Sequence, residues 1–199
     1  MDNLTLKRYL LKTLKIEDYK KDYRLNDLPF YLKSVLIGLL LSDGALERSS
    51  ITSLVRLNVI MSMKNYSYIL HLYNLFEPYI NDDVKIIDIK NKNQLNNIKI
   101  YTTVRFKTVS IPHFVKYYNI FYKENNITKK QMKVVPEELR YDFDSIALAH
   151  LIMGDGYYHK KKGIILCTHC FDKSDVSLLS NIIKENLSID NKVVHYKNN

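Results

Sequence analysis

The alternation of apolar and polar residues along the chain predicts helices and strands in a regular order. Apolar residues recur at helical spacing in three segments, residues 31–41, 64–80 and 112–122. Strand-like patterns lie at residues 54–63, 84–90 and 98–109. In the last strand Val104 and Phe106 alternate with two cationic residues, which predicts one apolar and one cationic face. The pattern therefore indicates a mixed α+β fold.

The same order of elements starts again after residue 144, and an internal repeat is a stronger clue to the fold than any single element. An apolar helix is expected at residues 146–153, followed by a hairpin within residues 157–171. Asp172 is expected to cap the next helix. A further strand is expected to begin at residues 192–196.

The repeat predicts three regions of the chain. Residues 1–124 form an N-terminal repeat that opens with a charged, amphipathic lead-in helix, and residues 145–199 form a C-terminal repeat. Residues 125–144 are polar and contain Pro136, which is typical of a linker. Only 43 residues follow Gly156, whereas 103 residues separate Gly44 from Leu148. We therefore expect the second repeat to be incomplete.

Two nonapeptides at equivalent places in the repeat carry most of the chain's glycine. Residues 36–44 read LIGLLLSDG and residues 148–156 read LAHLIMGDG. Glycine is costly inside a helix and useful where backbones approach closely or turn sharply. We therefore expect the two helices to meet at an interface that includes the glycines Gly38, Gly44, Gly154 and Gly156.

Both nonapeptides end in a small residue, an aspartate and a glycine. If the helices pack side by side, Asp43 and Asp155 lie at the same end of the interface, where two carboxylates favour a divalent cation. Such a cation activates water for phosphodiester hydrolysis. Asp-Gly is also a common turn, so one copy alone would indicate an ordinary helix end. Two copies in equivalent places favour a function.

The nonapeptides resemble the paired motifs of LAGLIDADG homing endonucleases, in particular the single-chain, two-motif type encoded in organellar introns. The resemblance runs from about Tyr31 to the end of the chain. It includes the family's strand-to-helix segment, its fourth strand and next helix, its linker, and its second-repeat strand, at residues 62–79, 104–119, 133–136 and 163–171.

The resemblance implies a saddle of two pseudo-symmetric α-β-β-α-β-β-α repeats, the second one incomplete. It implies that Asp43 and Asp155 bind Mg²⁺, or another divalent cation such as Mn²⁺. It also implies that Lys133 is a catalytic residue, a basic side chain near the scissile phosphate that polarises water or stabilises charge. Without the resemblance, Lys133 reads as a solvated linker lysine. His150, where the family often has a small residue, reads as a packed or capped histidine.

The charge balance points to a polyanionic partner. Lys and Arg number 30 against 21 Asp and Glu, for a formal charge of +9, although a merely basic protein has the same balance. A two-stranded ribbon fits the major groove, where polar side chains read or position the duplex. The candidate DNA-binding residues on strand faces are Arg48, Arg56, Asn58, Arg105, Lys107, Lys160, Lys162 and His169.

The leading hypothesis is a site-specific endonuclease that makes a staggered double-strand cut in a long DNA site and thereby mobilises its own intron. Its partner is then double-stranded DNA, with the intron RNA as a second partner, and a monomer is expected because two repeats supply their own twofold. The alternatives are an RNA-binding maturase and a truncated, inactive DNA-binding remnant. The composition is rich in Asn, Lys, Ile and Tyr, whose codons are AT-rich, which indicates an AT-rich genome such as an organellar one. The expected location is the mitochondrion rather than the chloroplast.

Two other features bear on the class of protein. No apolar run approaches the roughly 20 residues of a membrane-spanning helix, so no membrane partner is expected. Cys167 and Cys170 enclose a histidine, a spacing that suggests zinc or redox chemistry. There is no second such pair, and on a strand the two thiols point to opposite faces. We therefore interpret both cysteines as strand residues.

Overall fold

The computed structural model describes residues 27–92, 98–125 and 128–194, and there the chain alternates helices with antiparallel strands. The helices are α1 (Phe30–Leu40), α2 (Tyr66–Phe76), α3 (His113–Phe121), α4 (Leu139–Asp142), α5 (Ser145–Asp155) and α6 (Lys173–Leu187). The strands are β1 (Gly44–Arg48), β2 (Val55–Ser62), β3 (Lys85–Lys92), β4 (Ile98–Lys107), β5 (Tyr122–Glu124), β6 (Gln131–Lys133), β7 (Gly156–His159) and β8 (Gly163–Leu166). The mixed α+β expectation is confirmed.

One compact unit contains the described residues up to 32 together with residues 43–115, apart from the gap at 93–97. Its sheet is antiparallel throughout, with the strand order β1-β2-β4-β3. The predicted alternation in β4 is confirmed, because Val104 and Phe106 are buried while Arg105 and Lys107 are partly exposed. Phe106 packs against the rings of Tyr73 and Phe76 at centroid distances of 6.0 and 6.4 Å. The apolar face of the sheet therefore meets α2.

The second compact unit contains residues 33–42 and the described residues from 116 onward. Most of α1 thus belongs with α5, although the two helices come from different repeats in sequence. A Cβ atom built on Gly38 would lie 2.6 Å from the Cβ of His150, and it would meet the carbonyl oxygen of Ala147 at still shorter range. The two helices therefore approach closely enough at Gly38 to exclude any side chain.

A hydrogen bond also holds α1 against the start of α5. The hydroxyl of Ser34 donates to the carboxylate of Asp144 at 2.7 Å, and the same carboxylate caps α5 by accepting from the amide of Ala147 at 2.8 Å. His150 is buried, as expected for a packed histidine. Gly156 differs from Gly38, since the three atoms nearest to its built Cβ all belong to Ile152 of its own helix. Gly156 therefore permits the helix end itself, where the chain turns into β7.

The remaining motif glycines take local positions. Gly44 is buried and is the first residue of β1, so the chain passes from α1 through a short turn directly into a strand. Gly154 is half-buried in the last turn of α5. The resemblance implied a strand here, but the apolar pattern alone did not predict β1, because residues 44–48 show no clear alternation of apolar and polar residues.

The polar segment expected to be a linker is largely folded. Strand β6 pairs with β5, and Val135 and Leu139 are buried. The amide of Val135 donates to the carboxylate of Asp175 on α6 at 3.1 Å, and the side chain of Asn186 donates to the carbonyl of Phe143 at 2.8 Å. These hydrogen bonds tie the segment to α6, and its buried apolar residues lie among charged ones, which composition alone did not reveal. The limits of the two repeats remain a prediction.

Three smaller expectations have different outcomes. Asp172 is the N-cap residue of α6, as expected, although its side chain makes no capping hydrogen bond. Residues 192–194 form no strand, and residues 195 and 196 of the expected strand lie outside the described residues. The lead-in helix also lies outside them except for residues 27–33.

The contact at Gly38 predicts whether Gly38→Ala raises or lowers the free energy of unfolding. Helix propensity alone favours alanine over glycine by about 1 kcal/mol. We expect Gly38→Ala instead to lower the free energy of unfolding by about 1–3 kcal/mol, because the new methyl group meets the backbone of α5. Urea unfolding of the variant measures this value. Asn181→Ala, on an exposed position of α6, is the control, and a stabilised Gly38→Ala protein would contradict the close approach.

Candidate functional site

Asp155 is the last residue of α5 and one of the two predicted catalytic carboxylates. Its backbone oxygen accepts from the amide of Cys167 at 2.8 Å, so the helix end is tied to the chain segment after β8. The carboxyl group is half-buried. Burial raises the pKa of Asp155, and the positive charges of Lys133 and His169 oppose this effect without cancelling it. The carboxylate is therefore destabilised by its surroundings and would gain from a further cation.

Lys133 connects the ends of the two motif helices. It closes β6, and its Nζ donates to the backbone oxygen of Ser42 at 2.9 Å. Ser42 directly precedes Asp43 in the chain and is held by a 2.9 Å bond from its hydroxyl to the Gly38 carbonyl. The charge of Lys133 also acts on Asp155. The ammonium group thus touches the end of the first motif and lies within electrostatic range of the second.

Asp43, the other predicted carboxylate, is half-buried in the turn that leads into β1. Burial, and then the charge of Asp43, raise the pKa of Tyr68 on α2 well above its ordinary value, with a smaller contribution from Tyr31. Tyr68 therefore keeps its proton at neutral pH. Tyr68 lies within the predicted helical segment 64–80, and nothing in its spacing indicated an electrostatic link to Asp43.

His169 and the two cysteines do not lie on a strand as expected. Strand β8 ends at Leu166, and the amide of Phe171 closes a turn by donating to the carbonyl of Thr168 at 3.1 Å. The turn places the exposed His169 within electrostatic range of Asp155 instead of on a ribbon face. Burial raises the pKa of Cys170, with Lys133 opposing and Asp155 adding to the effect.

The predicted DNA-binding residues of the four-stranded sheet are largely held by neighbouring groups. Arg56, Asn58 and Lys107 all bond the carboxylate of Glu47, a residue that sequence reasoning did not select. Asn58 is buried, although it was expected to be exposed on the sheet. Arg48 donates from Nε to the carbonyl of Ser53 at 3.0 Å.

The remaining predicted DNA-binding residues occupy two places. Arg105 is partly exposed on β4, on the same face of the sheet as Lys107. Lys160 and Lys162 are exposed, but they lie in the turn between β7 and β8 and not on a strand face. Their roles in DNA binding remain predictions.

The donor set at Asp155 suits a hard divalent cation better than zinc. Within residues 27–92, 98–125 and 128–194, no three or more His, Cys, Asp or Glu side chains are grouped to hold a metal ion. Mg²⁺ is commonly held by one or two carboxylates and completes its shell with water and phosphate oxygens. A half-buried carboxylate with a raised pKa fits that requirement.

No helix in the described part of the chain combines the length and the apolar character needed to cross a membrane.

The raised pKa of Asp155 predicts how Asp155→Asn changes stability with pH. The folded protein binds the proton more tightly than the unfolded chain, so its stability falls as pH rises from the ordinary aspartate pKa of about 3.9 to the higher folded value. Asparagine is neutral throughout. We therefore expect Asp155→Asn to raise Tm at pH 7, and the gain to shrink towards pH 4.

Thermal denaturation from pH 4 to pH 7 measures the effect. Asp142→Asn, which neutralises an exposed carboxylate on α4, corrects for the general loss of a negative charge from a basic protein. A lower Tm for Asp155→Asn than for the unmodified chain at pH 7 would show that its carboxylate is stabilised and not strained by its surroundings.

Known proteins resemble the chain in both sequence and fold. The structure of the homing endonuclease I-WcaI bound to its DNA recognition sequence matches 87% of this chain and 74% of that chain, with a TM-score of 0.67 and 26% identity. The cytochrome b mRNA maturase bI2 of Saccharomyces cerevisiae is 25% identical over 196 residues, which is 97% of this chain and 45% of the maturase. The chain thus spans under half the length of that relative.

The DNA endonuclease I-ChuI of Chlamydomonas applanata is 22% identical over 161 residues, which cover 79% of this chain and 73% of the relative. The model of the LAGLIDADG DNA endonuclease family matches residues 33–199, which include both nonapeptides, Lys133 and the turn that carries His169. By this match and by its fold, the chain belongs to the LAGLIDADG DNA endonuclease family.

Proposed function

We propose that this chain is a site-specific endonuclease that cuts double-stranded DNA by metal-dependent hydrolysis and thereby mobilises its intron. The observation that carries the proposal is the position of Lys133, whose ammonium bonds the backbone oxygen of Ser42 and acts on Asp155. An ammonium group that acts on the ends of both motifs is suited to stabilise a phosphate group held between two acidic residues. Membership of the family supplies the reaction type.

The proposed roles follow from the chemistry of each side chain. Asp43 and Asp155 would hold Mg²⁺ or Mn²⁺, which supplies an activated water and neutralises phosphate charge when bound. Lys133 stabilises negative charge that develops on the phosphate, from a position already fixed by Ser42. His169 lies within electrostatic range of Asp155 and is a candidate for holding a water molecule there.

The proposed partner is a long duplex that the β-strand surfaces contact. The cationic residues of β2 and β4, and the lysines of the β7–β8 turn, are the candidates for this contact. We propose a monomer encoded in a mitochondrial intron. Two observations support the organelle: the relative named for cytochrome b mRNA, and the resemblance of the sequence to the type encoded in organellar introns.

Neutralising either carboxylate tests the mechanism directly. We expect Asp43→Asn and Asp155→Asn each to reduce the cleavage rate by more than about 100-fold, because each removes a metal ligand, while DNA binding is largely retained. The substrate is the uninterrupted form of the gene that carries this reading frame, with Mg²⁺ present. Asp142→Asn is the matched control and should cut at the rate of the unmodified chain.

Cleavage at an unchanged rate by both single variants would eliminate this mechanism. Site-specific binding without cleavage by the unmodified chain would instead support the inactive DNA-binding remnant. Lys133→Met distinguishes the role of the lysine from that of the metal ligands. We expect it to slow cleavage without changing the apparent affinity for Mg²⁺.

One observation favours RNA binding as a second function. The maturase relative matches 97% of this chain, and RNA binding makes no use of phosphodiester-cleaving carboxylates. If the chain assists splicing, we expect the Asp43→Asn/Asp155→Asn double variant to bind and splice the intron RNA as well as the unmodified chain does. Filter binding and an in vitro splicing assay with the intron RNA test this, with an unrelated group of transcripts of equal length as the control. Loss of splicing in the double variant would argue against an independent RNA-binding role.

A further inference from the structure

Four side chains on the four-stranded sheet form one connected group, which we call the Glu47 cluster: Glu47, Arg56, Asn58 and Lys107. Glu47 Oε2 accepts from Arg56 Nε at 2.8 Å and from Lys107 Nζ at 2.8 Å. Glu47 Oε1 accepts from Asn58 Nδ2 at 2.7 Å and again from Lys107 Nζ at 3.1 Å. One carboxylate therefore holds three residues that the sequence selected as DNA-binding.

The strand register explains why the cluster forms. Glu47 lies opposite Arg56 across β1 and β2, and Asn58 lies opposite Lys107 across β2 and β4. Residues directly opposite each other, and residues two apart on one strand, share a face of the sheet. The neighbouring residues Leu46, Leu57 and Phe106 are buried on the other face. The cluster thus occupies the polar face, opposite the core.

Asn58 contains an acceptor that no described residue uses. A carboxylate can only accept, so the bond to Glu47 fixes Nδ2 towards Glu47 and leaves Oδ1 as an acceptor. Asn58 is 8% exposed, and its buried Oδ1 has no hydrogen-bond partner among the described residues. A buried, unpaired acceptor is unfavourable in a folded protein and calls for a ligand or a water molecule.

The charges in the cluster are unequal. Arg56 and Lys107 contribute two positive charges and Glu47 contributes one negative charge. Burial raises the pKa of Glu47, but hydrogen bonds from Lys107 and Arg56 and their charges outweigh it and hold that pKa below its ordinary value. Glu47 therefore stays ionised at neutral pH and competes with any phosphate for the same two cations.

We propose that Glu47 is a specificity-determining residue, which withholds Arg56 and Lys107 from the phosphates of non-target DNA. The carboxylate itself matches exposed amino groups, the N6 of adenine and the N4 of cytosine in the major groove. Non-target DNA must displace the carboxylate from its cations to gain their charge. This inference rests on the proposed function, because it requires that the sheet face contact DNA.

Removing the charge of Glu47 tests the proposal. Glu47→Gln keeps a carbonyl for Asn58 but releases both cations, so one additional counterion should be displaced when non-target duplex binds. We expect the slope of log K against log salt to steepen by about one, so that affinity falls roughly three- to fourfold more between 50 and 200 mM salt. The ratio of target to non-target affinity should fall by a similar factor at low salt.

Two controls separate the cluster from overall charge. Glu124→Gln removes the same charge from an ion-paired strand carboxylate outside this sheet, and it should leave the slope unchanged. Glu47→Gln/Lys107→Gln removes one of the two released cations and should restore the slope of the unmodified chain. Thermal denaturation checks that each variant is folded. If Glu47→Gln alone loses stability, a double variant whose slope is shallower than that of the unmodified chain by about one overturns the role of Glu47.

The outcomes distinguish this inference from the proposed nuclease function. Equal slopes and equal target ratios for Glu47→Gln and the unmodified chain overturn the role of Glu47, whether or not the chain cuts DNA. An equal effect of Glu124→Gln also overturns it, because the effect would then be one of net charge. A chain that binds duplex without cutting it refutes the nuclease function alone, and the slopes still decide the role of Glu47. A chain that binds no duplex overturns both.

Discussion

The close approach of α1 and α5 at Gly38 is the contact on which the candidate active site depends. A side chain at Gly38 would collide with the backbone of Ala147 and with His150, so the helices can reach their positions only with glycine there. The bond from Ser34 to Asp144, which also caps α5, holds the same pair of helices in register. That register fixes the position of the Ser42 carbonyl. Lys133 can then bond it while acting on Asp155, because all of these groups belong to one compact unit.

The surroundings of Asp155 show a conflict between stability and chemistry. Burial disfavours its charged form, and Lys133 and His169 only partly compensate. A site selected for stability alone would place a neutral residue at this helix end or expose the carboxylate to water. A half-buried carboxylate that is short of positive charge has a use when a cation is bound, since the same burial that destabilises it strengthens its attraction to the ion. Strain of this kind is expected where a local rule of folding yields to function.

Local patterns in the sequence were sufficient to predict the helices and strands that can be identified from their own apolar and polar residues. Apolar periodicity predicted α1 and α5 to within one or two residues, and the alternation in β4 predicted which of its side chains are buried. The local pattern was insufficient where the structure depends on contacts between residues far apart in the sequence. Glu47 lies in a segment without alternation, and its bond to Lys107 joins residues 60 positions apart, so no local pattern could select it. His169 continues an apolar strand in sequence, yet the chain turns after Leu166 because Cys167 and Phe171 bond other partners. The polar composition of residues 125–144 likewise concealed the buried Val135 and Leu139.

The surroundings of Asp155 and the Glu47 cluster have opposite charge balances, and each belongs to a different compact unit. At Asp155 a partly compensated carboxylate favours an added cation. In the Glu47 cluster two cations share one carboxylate, which leaves an excess of one positive charge. A net charge of +9 draws any polyanion to the protein without regard to sequence. Discrimination then requires that part of this charge be withheld until the correct contacts form, because a cation already paired gains less from an arbitrary phosphate than an unpaired one does. An acidic residue on the cationic face of the sheet is therefore consistent with the proposed DNA binding, in which we propose that it affects the choice among duplexes more than the affinity for DNA.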